Sequence, residues 1–150
     1  MYRAATAIRI GPYSYKEEGA LAKLIHTMVR VLDLERSISF YREAFGLEVA
    51  DRYDLGGFVL VYLSNGEADH ELELTLNEGR EEPYGHDGGY GHVAFRVEDV
   101  EAEHARFTEA GFAPRDVKEL EFGGEVLGKF FFVEDPDGYQ IEVLERRGRF

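Results

Sequence analysis

The chain has 150 residues, 44% hydrophobic and 13% aromatic, which suits one globular domain or two small units sharing a core and excludes a disordered polymer. Its formal net charge of −13 repels phosphate backbones and anionic membranes, so neither nucleic acid nor a membrane is an expected partner. The absence of cysteine excludes disulfides, thiolate metal sites and a cysteine nucleophile, and accords with a cytoplasmic location.

In chain order, residues 1–23 read as an N-terminal extension, either an arm that packs on a partner subunit, the preferred reading, or a disordered segment. Arg9 interrupts its one apolar stretch, so no secretory signal is expected. No apolar run in the chain approaches the roughly 18–20 residues of a membrane helix.

Beyond the arm the chain is organised by a repeat. HTMVRVLDLERSISFYREA, from His26 to Ala44, lies without a gap on HVAFRVEDVEAEHARFTEA, from His92 to Ala110. Paired positions include His26/His92, Arg30/Arg96, Asp33/Asp99 and Glu43/Glu109, and each segment runs into a glycine, Gly46 or Gly111. The shared order of elements makes duplication the better account.

LIHTMVRV and GHVAFRV alternate as half-buried strands do. Asp33 and Asp99 then stand where helix N-caps belong. Leu34, Ile38, Tyr41 and Phe45 recur at helical spacing, with a weaker stripe at Val100, Ala105, Phe107 and Ala110; both are expected to be core. Strands are predicted at Leu47–Tyr53, Phe58–Leu63 and Glu71–Leu76. Their counterparts are Phe112–Lys118, Val126–Val133 and Tyr139–Leu144. Gly56-Gly57, Asn65-Gly66 and Asp135-Pro136-Asp137-Gly138 supply turns. The expected fold is α+β, two paired βαβββ modules: a domain at 24–145 made of modules 24–77 and 90–145, with a C-terminal tail at 146–150.

Strand alternation puts His26, Met28 and Arg30 on one face, and His92, Ala94 and Arg96 on the matching one. Glu73 shares its face with Thr75 and Asn77, and Glu142 with Gln140 and Leu144. Each module thus offers one histidine and one glutamate at repeat-related positions. If the modules pair about a pseudo-twofold axis, two imidazoles and two carboxylates converge on one point. That donor set suits Ni²⁺, Co²⁺, Zn²⁺, Mn²⁺ or Fe²⁺.

LIHTMVRV–DLERSISFY, ELELTLN, YGHVAFRVEDV and FVEDPDGYQIEVLE resemble glyoxalase I (lactoylglutathione lyase) of the vicinal oxygen chelate superfamily, over about Leu24 to Glu145. The resemblance implies paired βαβββ modules and a homodimer with metal sites between subunits. It also implies conversion of the methylglyoxal–glutathione hemithioacetal to S-D-lactoylglutathione. By this similarity His26, Glu73, His92 and Glu142 are the metal ligands, and Arg30 and Asn77 hold the glutathione moiety. Glu142 is the expected base, with Glu73 as its mirror-related partner for the opposite stereoisomer. The short interval from Glu73 to His92 resembles the branch activated by Ni²⁺ or Co²⁺ rather than Zn²⁺. A chelated substrate fits the chemistry: the cation polarises two neighbouring oxygens and stabilises the enediolate while a carboxylate moves the proton.

The segment Lys118–Lys129 is longer than the matching family loop, and neither lysine aligns with the basic group that this loop supplies toward the thiol peptide. An acyl-CoA epimerase of the superfamily, such as methylmalonyl-CoA epimerase, is the second reading, although Glu73 stands where that enzyme typically has glutamine. An iron dioxygenase needs only two histidines and one glutamate. Drug-binding proteins of this fold commonly lose the ligands. His70 and His104 are expected in solvent, Arg96 either in the cavity or in a surface ion pair, and His86 away from the site.

Overall fold

The computed structural model describes residues 23–148 and 150, so the arm expected at 1–23 lies outside the described residues except for Lys23. The first module runs β1 (His26–Val31), α1 (Leu34–Phe45), β2 (Glu48–Asp54), β3 (Phe58–Ser64) and β4 (Glu71–Asn77). The second runs β5 (Val93–Val97), α2 (Val100–Glu109), β6 (Lys118–Phe122), β7 (Glu125–Glu134) and β8 (Gln140–Glu145). Each forms one four-stranded sheet, ordered β1-β4-β3-β2 and β5-β8-β7-β6. The first and last strands of each module pair in parallel and the others antiparallel. The internal repeat is thus carried into identical topology. No described helix is long and apolar enough to cross a membrane.

Local chemistry starts and stops the helices as the sequence indicates. Asp33 Oδ1 accepts from Arg36 N at 3.0 Å, and Asp99 Oδ1 from Ala102 N at 3.0 Å, which satisfies a free amide at each helix start. Gly46 ends α1 at φ 65°, its N–H returning to Arg42 O at 2.9 Å, a left-handed cap that glycine adopts at least cost. Leu34, Ile38 and Tyr41 are buried as expected, together with Ser37, Phe40 and Ala44. Phe45 stacks on Phe95 of the other module at a centroid distance of 3.9 Å. In α2 only Val100 and Phe107 are buried; Ala105 and Ala110 face solvent, so that stripe is narrower than predicted.

Two further expectations are corrected. The strand predicted at Phe112–Lys118 forms instead at Lys118–Phe122. Gly111 and Ala113 take φ of 81° and 52°, which breaks the extended path and turns Phe112 onto Phe40 and Phe107, at 5.1 and 5.3 Å between centroids. The long loop at Lys118–Lys129 is a β6–β7 hairpin, closed by Gly123 and Gly124 at φ 62° and 84°. Two successive positive φ values match the twist of an antiparallel pair and favour glycine at both positions.

The DPDG turn joins the modules. Asp135, 5% exposed, accepts from Tyr41 Oη at 2.8 Å and from the backbone N–H groups of Asp137 and Tyr139 at 2.9 Å each. Burial raises its pKa despite those donors, and burial followed by the Asp135 charge pushes the Tyr41 phenol well above its ordinary range. Asp137 accepts from Leu32 N at 3.1 Å and Ser37 Oγ at 3.3 Å, tying β8's turn to the β1–α1 junction. From the opposite side, Arg106 donates to Glu43 O and Ala44 O at 3.1 and 2.6 Å, satisfying carbonyls at the end of α1. Asp137→Ala leaves the half-buried Leu32 amide and the hydroxyl of buried Ser37 without this partner, so it is expected to destabilise the fold by about 1–3 kcal/mol. Chemical denaturation, with Asp137→Asn as a partial rescue, checks this.

Candidate metal centre

Each sheet has one face on the common core and one open face. Val29 and Val31 of β1 and Leu72 and Leu74 of β4 are buried, which turns the alternate residues outward. In the second module Phe131, Val133, Ile141 and Val143 play the same part. The predicted polar residues therefore share the open faces.

His26 Nε2 lies 3.1 Å from Glu73 Oε2, and His92 Nε2 lies 3.1 Å from Glu142 Oε2. The two pairs are built alike. Parallel pairing sets Met28 beside Glu73 and Ala94 beside Glu142, so each histidine, two residues earlier, reaches along the sheet to its glutamate. His92 does this from just before β5, which begins at Val93. The histidine side chains are 38% and 43% exposed against 10% and 16% for the glutamates. Each glutamate thus sits in the sheet surface with an imidazole above it.

The pairs remain apart within the chain. Among the described residues no three of His, Asp and Glu stand close enough to hold one ion. Both histidines lie at the edge of a sheet, because β1 and β5 each hydrogen-bond to one neighbour only. A crevice of about 1400 Å³ runs beside β5, lined among others by Arg96, Leu144, Phe150, Thr27 and Glu71. None of the four candidate ligands lines it. Among the described residues the chain thus presents two separate His–Glu pairs, each on an open sheet face.

The flanking residues differ between the half-sites. Across the first sheet Met28, Glu73 and Tyr62 form a row; across the second, Ala94, Glu142 and Phe132. Thr75 Oγ1 donates to Glu73 Oε1 at 3.1 Å. Tyr62 stands edge-on to His26, with centroids 5.7 Å apart. Its pKa is raised, first by side-chain hydrogen bonding to Glu73 and then by burial. Phe132 stands edge-on to His92 at 5.5 Å. Alternation puts Thr75 on Glu73's face without signalling a role; Tyr62, across the strand pair, has no sequence signal.

The other predicted residues scatter. Arg30 and Arg96 occupy equivalent open-face positions and are exposed. Neither guanidinium has a hydrogen bond or ion pair among the described residues. Asn77 Nδ2 donates to Tyr84 Oη at 3.0 Å. Lys129 is turned toward α2, its Nζ 2.6 Å from Glu101 Oε1. Lys118, opposite Phe130 in the register, is the lysine on the open face. His70 is not free in solvent: its Nε2 lies 2.9 Å from Thr27 Oγ1 and its Nδ1 is buried. His104 lies 3.1 Å from Arg115 O, and His86 stacks on Tyr139 at 4.2 Å.

Comparison with known proteins agrees with this architecture. The model of the Glyoxalase/Bleomycin resistance protein/Dioxygenase superfamily matches residues 23–143. The chain is 37% identical to the lactoylglutathione lyase of Haemophilus influenzae over 130 residues, covering 83% of this chain and 93% of that one. It is similar to the trypanothione-dependent glyoxalase I of Leishmania major, with 38% identity, a TM-score of 0.68, and 83% and 87% of the two chains covered. Glyoxalase I of Zea mays gives 29% identity and a TM-score of 0.73 over 84% of this chain and 45% of that one. Repeat, topology and family match agree, and the chain belongs to the glyoxalase superfamily.

Proposed function

We propose that the protein is a glyoxalase I, isomerising the hemithioacetal of methylglyoxal and glutathione to S-D-lactoylglutathione at a divalent metal centre. The observation that carries this reading is the pair of repeat-related His–Glu contacts, each 3.1 Å, on the two open faces. The lactoylglutathione lyases among its relatives support the same activity.

The donors fit a hard-to-borderline divalent ion: imidazole nitrogens and carboxylate oxygens already face one another. One chain supplies two half-sites, each with its histidine on an open sheet edge. A second copy setting its β5 edge beside β1 brings His26 and Glu73 of one protomer to His92 and Glu142 of the other. Such a contact is closed and symmetric, as in most homodimers. The bound ion supplies Lewis acidity for the two substrate oxygens.

The protein's own groups do the rest. Glu142 takes the C–H proton, the bond's electrons remain in the enediolate, and the same carboxylate returns the proton to the adjacent carbon. Glu73 stays a ligand. Arg30 and Asn77 hold the thiol peptide, with the carboxylates of glutathione matching the Arg30 guanidinium, which has no ion pair among the described residues. The ion is Ni²⁺ or Co²⁺ in preference to Zn²⁺, in keeping with the short interval between Glu73 and His92.

Metal removal is expected to abolish thioester formation from methylglyoxal and glutathione, and Ni²⁺ to restore more of it than Zn²⁺. Spectrophotometric assay of stripped and reloaded protein tests this. Activity with trypanothione alone would change the thiol and keep the mechanism. Turnover of methylmalonyl-CoA without thioester formation would overturn the assignment.

A further inference from the structure

The half-sites share one design but differ in what touches the carboxylate. Glu73 has both oxygens engaged: Oε2 faces His26 at 3.1 Å and Oε1 accepts the Thr75 hydroxyl at 3.1 Å. Glu73 and Thr75 are both buried, at 7% exposure each. Glu142 has His92 on Oε2 at 3.1 Å, and its Oε1 has no hydrogen bond among the described residues. The position two residues on, filled by Thr75 in β4, is Leu144 in β8. The cross-strand neighbour, Tyr62 beside Glu73, is Phe132 beside Glu142. Two polar neighbours in one half-site are thus two apolar neighbours in the other.

We propose that Thr75 is a positioning residue: it fixes Glu73 as a static ligand, in place of the base for the opposite stereoisomer that the family resemblance implies, and this leaves proton transfer to Glu142. The inference rests on the metal-centre reading above. A carboxylate that must leave its ligand position, accept a proton and return cannot also be tied on its second oxygen. Thr75 ties Glu73 in this way, and Leu144 cannot tie Glu142. Outer contacts of this kind orient metal ligands and set their hold on the ion. The asymmetry also fixes which side of the enediolate is protonated, hence the hand of the product.

Thr75→Val removes the hydroxyl at nearly constant volume, and Thr75→Ser restores it. The test measures Ni²⁺ affinity by calorimetry and the enantiomeric composition of lactate released from the thioester, with circular dichroism to show that each variant folds. Thr75→Val is expected to weaken Ni²⁺ binding about 10-fold and to give mixed product, because Glu73 is then free to take the C–H proton of the opposite hemithioacetal stereoisomer and return that proton from its own side. Thr75→Ser is expected to recover both. A Thr75→Val protein that gives one enantiomer overturns the proposal, whatever its Ni²⁺ affinity. Wild-type protein that binds no divalent ion overturns the metal-centre reading and this inference with it.

Discussion

Glu142→Gln is expected to reduce turnover by about 10²–10⁴-fold, the range that a positioned general base contributes. The substitution keeps the shape of the side chain and an oxygen able to face His92, but the amide cannot accept a proton. Metal content should therefore hold while turnover collapses. Glu73→Gln is the matched control: it alters a candidate ligand that contacts Thr75 and His26, so its main effect should fall on metal affinity. Steady-state thioester formation beside metal content per protomer separates the two outcomes. Full turnover by Glu142→Gln with its metal retained would remove Glu142 from the role of base.

The fold is legible in the sequence wherever a local pattern determines it. Strand alternation in HTMVRV and HVAFRV, the Asp33 and Asp99 caps, and glycine at position 46 each act within a few residues, and all appear as expected. The second module's β6 departs from its predicted place because the sequence after Gly111 has strand-like composition. A positive φ at Ala113, a backbone state that residues other than glycine rarely adopt, redirects it. The hairpin at Gly123-Gly124 carries its signal in turn chemistry, which a comparison of loop lengths does not register. Asp137, buried against Leu32 and Ser37 about a hundred residues earlier in the chain, has the sequence signature of a turn residue and nothing more. Its partners are set by how the modules dock, and alternation carries no information about that.

The candidate centre divides along the same line. Periodicity identifies the face of each of the four candidate ligands, and within each module the structure brings histidine and glutamate together. Which half-site meets which is a question of assembly. Alternation fixes faces, not the distance between two faces carried by separate sheets. β1 and β5 each leave one sheet edge without a strand partner in this chain, and the proposed second copy would place its own half-site there.

Subunit complementation tests that arrangement most directly. His26→Ala and His92→Ala proteins should each be inactive, because either change damages every centre in its own homodimer. Unfolded together and refolded, they should form mixed dimers in which one centre lacks both histidines and the other has all four ligands intact. Random pairing of two such subunits in a symmetric dimer is expected to return roughly a quarter of wild-type activity, with metal bound in proportion. A mixture that stays as inactive as its two components, while mixed dimers are shown to form, would contradict a centre shared between two copies.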